Sequence, residues 1–111
     1  MNVYHWFTER FSSHDKGLTL YKRGMAKAKG HDREGAIEDY TATIGMPDTP
    51  ANIRAMALYN RALVLVASGD NQKGMEDLHA VLRMDESPAN VKTRARQKLA
   101  KMEARSRDRN A

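Results

Sequence analysis

The sequence predicts an all-α fold: antiparallel helix-turn-helix repeats stacked as a short α-solenoid. Three observations predict it. Residues 50–62, PANIRAMALYNRA, return at 88–100 as PANVKTRARQKLA, an offset of 88 − 50 = 38. The same offset carries Leu20, Tyr21 and Arg23 onto Leu58, Tyr59 and Arg61, and Ala36-Ile37-Glu38-Asp39 onto Gly74-Met75-Glu76-Asp77. No run alternates apolar with polar residues, and no Asn-Gly or Asp-Gly turn marks a hairpin.

The elements follow in order. Residues 1–15 form an aromatic N-terminal segment in which Val3, Phe7 and Phe11 step by four, the spacing of a helix face. The first repeat helix runs over about 16–29 and ends at Gly30-His31-Asp32, with Asp32 a suitable N-cap for a second helix over about 33–46. In the connector, Thr49 reads as an N-cap and Pro50 as the first helical residue, where a missing N–H costs nothing. A third helix over about 50–67 follows, and Ser68-Gly69-Asp70 repeats the stop and cap. A fourth helix runs over about 71–84. Ser87-Pro88 then repeats Thr49-Pro50 and opens a fifth helix over about 88–105. Residues 106–111 read as a frayed basic tail. The domain is therefore 16–105, with units 16–49 and 50–87 and a capping helix 88–105. On that last helix Val91, Ala95, Leu99 and Met102 make one apolar stripe, and basic residues cover the rest.

Composition narrows the function classes. The chain has 111 residues and no cysteine, which excludes disulfides, thiolate metal sites and cysteine nucleophiles. It suits a cytoplasmic protein: no apolar run reaches membrane-spanning length, and MNVYHWFTERF lacks the basic start and long apolar stretch of a secretory signal. The net charge of +5 is uneven. Residues 1–86 hold 11 Lys/Arg against 12 Asp/Glu, and residues 87–111 hold 8 against 2.

Paired helices with Leu-Tyr-x-Arg-small on the first helix of each unit (Leu20 to Gly24, Leu58 to Ala62) resemble tetratricopeptide repeats. So does the pattern of a small residue (Ala36, Gly74), a bulky one four later (Tyr40, Leu78) and a further position after three more (Thr43, Val81). The resemblance covers about 16–105. It departs in its period, 38 rather than the usual 34, with the extra turn at the start of the third helix through ANIR. Lys27 also stands where Leu65 keeps the usual large residue, and Thr43 stands in for an apolar one.

The resemblance implies a concave groove lined by the first helix of each unit. Projected here, it holds Leu18, Tyr21, Lys22 and Met25, then Met56, Tyr59, Asn60 and Leu63, then Arg94, Gln97, Lys98 and Lys101. Some members of the family clamp a peptide's terminal carboxylate with Lys, Asn, Asn, Lys and Arg. Asn60 matches one Asn, and Arg94 and Lys98 match the last two with Lys and Arg exchanged. Tyr21 and Met25 replace the first two. The implied role is non-catalytic protein–protein interaction, with Tyr21, Tyr59 and Met25 giving apolar contact, Asn60 bonding the peptide backbone, and Arg94 and Lys98 attracting an acidic group.

No enzyme is indicated. His5, His14, His31 and His79 are scattered, and no H-E-x-x-H, glycine-rich phosphate loop or G-x-S-x-G occurs. No cofactor or metal is expected. The acid pairs Glu38-Asp39 and Glu76-Asp77 read as solvated faces. Two other roles stay open. One is a basic anion or nucleic-acid binder using Lys92, Arg94, Arg96, Lys98, Lys101, Arg105, Arg107 and Arg109, though no aromatic interleaves with them for stacking. The other is an assembly piece, such as a homodimer, that self-associates through Trp6, Phe7 and Phe11.

Overall fold

The computed structural model describes residues 13–110, with side chains from residue 16. The aromatic N-terminal segment lies outside the described residues up to residue 12. Five helices follow in order: α1 (Ser13–Lys29), α2 (Arg33–Gly45), α3 (Ala51–Ala67), α4 (Asn71–Arg83) and α5 (Ala89–Asn110). No strand occurs among the described residues. Each helix packs antiparallel on the next, as its short connector requires. In addition α1 meets α3, and α3 meets α5, whereas α2 and α4 do not come together. The helices thus form an odd layer (α1, α3, α5) and an even layer (α2, α4). Spacing is closer within the odd layer than within the even layer, and the side of the odd helices turned away from the even layer is termed the inner face.

The repeat seen in sequence is repeated in bonds. At the end of α1 the N–H of Asp32 reaches back to the Lys27 carbonyl (2.8 Å) and that of His31 to Ala28 (3.1 Å). At the end of α3, Asp70 reaches Leu65 (2.9 Å) and Gly69 reaches Val66 (3.0 Å). This is the Schellman closure, and it needs a left-handed residue after the helix. Gly69 supplies it with φ +93, and His31 does so with φ +66. Asp32 and Asp70 then cap α2 and α4, accepting from the N–H of Gly35 (3.0 Å) and Lys73 (3.2 Å).

Thr49 does not cap α3. Pro50 is itself the N-cap residue, with no side-chain cap bond, and the Pro50 carbonyl accepts from the Arg54 N–H. The Thr49 hydroxyl is buried and donates backwards to the Thr43 carbonyl at 2.8 Å. Ser87 donates to the Val81 carbonyl at 2.7 Å in the same manner. The Thr/Ser-Pro pair therefore satisfies an orphan carbonyl near the end of the preceding helix. Arg54, in the extra ANIR turn, closes α2 further by donating to the carbonyls of Ile44 (3.2 Å) and Met46 (2.8 Å).

The tail expected to fray is helical through Asn110, making α5 the longest of the helices described. Two things favour this. Ser106-Arg107-Asp108 aligns with Ser68-Gly69-Asp70, and Arg107 replaces the left-handed glycine, which weakens the stop. Arg107 and Arg109 also lie in the last turn, where cations oppose the helix dipole.

The core is continuous through α3, the middle helix, which buries opposite sides. One cluster holds Tyr21, Ala36, Tyr40, Ala57 and Val64. The other holds Ala55, Leu58, Ala62, Leu78, Val81, Val91, Ala95 and Leu99, and Ile44 and Met56 pack against both. A residue such as Leu78, fully enclosed, contributes about 1.5–3 kcal/mol by burial. Close helix approach needs small residues. A Cβ on Gly74 would lie 2.6 Å from Val66 and 3.2 Å from the Ala62 carbonyl. Thr43 fits its buried position because its hydroxyl bonds back to the Asp39 carbonyl at 2.9 Å.

Candidate functional site

The layers are joined by a repeated ion pair. Arg23 in α1 donates through Nε and Nη2 to both oxygens of Asp39 in α2, at 2.8 and 2.7 Å. Arg61 in α3 holds Asp77 in α4 at 2.7 and 2.8 Å. Both aspartates are buried, so reading the acid pairs as solvated faces is right for Glu38 and Glu76 and wrong for Asp39 and Asp77. Lys27 also reaches Asp39, at 3.1 Å, which explains a lysine where Leu65 stands in the next unit. Hydrogen bonding from Arg23 holds the Asp39 carboxyl below the usual range. Burial opposes the shift and Lys27 reinforces it.

An open crevice lies between α2 and α4, over α3, lined by Ile37, Thr41, Arg61, Leu65 and α4 residues including Asp77. Its guanidinium is already engaged, because Arg61 also donates to the Thr41 hydroxyl at 3.1 Å. The crevice is therefore the seat of a structural bond that ties three helices together.

The residues projected onto a groove fall on the odd-layer helices α1, α3 and α5. Lys22 and Met25 are exposed on α1, and Met25 is the one large hydrophobic residue exposed among those described, at 39%. Met56, Tyr59, Asn60 and Leu63 are half-buried on one side of α3. Arg94 is exposed and Lys98 half-buried on α5. By the offset of 38, Leu18, Lys22 and Met25 align with Met56, Asn60 and Leu63, and these with Arg94, Lys98 and Lys101, so the positions share one face.

Tyr21 is the exception. It is 4% exposed, its ring centroid 6.0 Å from that of Tyr40, and it fills the interior rather than a groove. Its hydroxyl accepts from Asn60 Nδ2 at 2.9 Å, and the same nitrogen donates to the Met56 carbonyl at 2.9 Å. Both amide hydrogens of Asn60 are therefore committed within the protein, leaving its carbonyl oxygen to accept. Burial raises the Tyr21 phenol and the Asn60 bond opposes that rise. Tyr40 is pushed up to about 12 by burial, then by the neighbouring charges of Tyr21 and Asp39.

Charge separates by layer, which a division of the sequence at residue 87 hides. The helices α1, α3 and α5 hold fifteen Lys/Arg and three Asp/Glu (Asp15, Glu103, Asp108), a net of +12. Residues 30–50 and 68–88, which hold α2, α4 and the turns, carry three Lys/Arg and ten Asp/Glu, a net of −7. Helix α3 contains no acid at all. The inner face is thus apolar in its middle and cationic toward α5. Among the described residues, no group of His, Asp and Glu could hold a metal ion, and no helix is long and apolar enough to cross a membrane. No family model, curated protein or solved structure matches this chain.

Proposed function

We propose that this chain is a non-catalytic protein–protein interaction module of tetratricopeptide-like type, holding a peptide segment against its odd-layer face. The observation that carries the reading is the make-up of that face. Met25, Met56, Tyr59 and Leu63 offer apolar surface beside Lys22, Arg94 and Lys98, on a layer of net charge +12. Such a face attracts an acidic, partly apolar segment, the charges raising the encounter rate and rejecting basic competitors. Half-buried methionines suit a surface that adapts to its ligand. Asn60 contributes through its free oxygen, accepting a peptide N–H. A cytoplasmic setting is part of this reading and rests on the cysteine-free composition.

The competing reading is a basic anion or nucleic-acid binder. It is favoured by the eight Lys/Arg of α5, none of which meets a carboxylate among the described residues. Capture from nuclease-treated lysate separates the two, comparing wild type with Met25→Glu/Arg94→Glu on the odd face and Glu38→Lys on the even face. Peptide binding predicts a discrete protein held by wild type and Glu38→Lys and lost by the odd-face variant. Equal capture by all three contradicts it.

A further inference from the structure

Five of the eight α5 cations form a single stripe. Arg94, Lys98, Lys101, Arg105 and Arg109 are spaced four, three, four and four residues apart. At about 100° per residue they fall within an arc about 80° wide, along about 22 Å of helix. Lys98 is half-buried and the other four are exposed. None is hydrogen-bonded or ion-paired within the described protein. Arg94, Lys98 and Lys101 take the positions of Met56, Asn60 and Leu63, so the stripe lies on the inner face. Its far end opens on a cleft where Met75, Met102 and Val66 lie beside Arg105 and Arg109. The two acids of α5 leave the stripe intact. Glu103 falls on the opposite side among Lys92, Arg96 and Arg107, and Asp108 borders the far end without pairing.

We propose that the partner segment is itself an acidic amphipathic helix, lying along α5 with its carboxylates on this stripe and its apolar side toward α3. The proposal rests on the peptide-binding reading above. Spacing selects a helix. The stripe offers one cation per about 5.6 Å, and a helix with acids at i, i+4, i+7 and i+11 presents one per similar distance. An extended peptide repeats a face every ~6.7 Å, so by the fifth cation it is about 4 Å out of register. The apolar residues beside the stripe distinguish this face from a surface built for phosphates alone, and with no aromatic on α5 the helix offers no platform for stacking bases.

The test is a titration of the full chain with a labelled synthetic peptide of about 18 residues. Its glutamates are spaced four, three, four and four apart, with leucines on the adjacent side. A second peptide of the same composition scatters the glutamates around the helix, and a duplex DNA serves as polyanion. The protein variants are Lys101→Glu/Arg105→Glu on the stripe and Arg96→Glu/Arg107→Glu opposite it, each checked for helicity by circular dichroism. The striped peptide should bind about tenfold tighter than the scattered one, lose about tenfold with the stripe variant, and bind the opposite-face variant like wild type. If both peptides bind alike and Met25→Glu/Arg94→Glu abolishes both, peptide binding stands and the helical partner is wrong. If neither peptide binds while the duplex does, both readings fail.

Discussion

The guanidinium of Arg61 grips both carboxylate oxygens of Asp77 across the α3–α4 interface, and 38 residues earlier Arg23 grips Asp39 across α1–α2 in the same way. Two forked bonds at one offset tie the odd layer to the even layer once per unit. Fork geometry fixes rotation as well as distance, which a lysine in the same place would not do.

Breaking one fork should be costly. Asp77→Ala leaves Arg61, whose side chain is 21% exposed, facing a void where its carboxylate stood. We expect a loss of about 2–3 kcal/mol, measured by urea denaturation. Pairing the change with Arg61→Met removes the stranded charge and should recover part of that loss. Equal stability of the single and double variants would show that the stranded charge is not what costs.

Acid should weaken the first unit. The folded Asp39 carboxyl titrates below its ordinary 3.8, so its stabilisation is complete above that pH. It is lost as pH falls through the lower folded value. Unfolding midpoints of wild type and Asp39→Asn, taken across that range, should converge at the acid end. A constant gap between them at all pH values would contradict the assignment.

Alkali should act through Tyr40. Its folded phenol titrates at about 12 against an ordinary 10.0, so its neutral form is favoured in the fold. The contribution is complete below pH 10 and disappears as pH rises through about 12. Phenolate absorbance of the native protein should show a tyrosine ionising late and together with unfolding. Tyr40→Phe should delay alkaline unfolding.

His31→Gly should stabilise the protein. His31 sits at φ +66, where its side chain is strained and the equivalent Gly69 is not. The unfolded chain gains freedom from glycine, which offsets part of the relief. A gain of about 0.5–1 kcal/mol is expected, seen as a higher denaturation midpoint at unchanged slope. A loss would mean that the His31 side chain contributes more than its backbone strain removes.

The repeat was legible because helices, stops and caps are local chemistry written in adjacent residues. Asp32, Gly69 and Asp70 each do what their residue type favours. Partners across an interface were harder to read. Beside Glu38, Asp39 reads as solvent-facing, yet the sequence carries the needed signal: Arg23 and Arg61 each precede an aspartate by sixteen residues. Two residues recurring at a fixed mutual distance in both units point to each other. The hydroxyls of Thr49 and Ser87 misled because capping and backward bonding use the same residue types. Tyr21 misled for a geometric reason. A residue at the border of the inner face is covered or open according to how closely α1 approaches α3, and the sequence does not encode that distance locally. The layered charge became visible only once the layers were known.

The proposed function requires that ligands meet the odd layer. The direct measurement is backbone amide chemical-shift mapping of the labelled full chain, titrated with the acidic striped peptide. Perturbations are expected around Lys22, Met25, Asn60, Leu63, Arg94 and Lys98, with α2 and α4 near silent. Perturbations centred on α2 and α4, or none at saturating peptide, would contradict it.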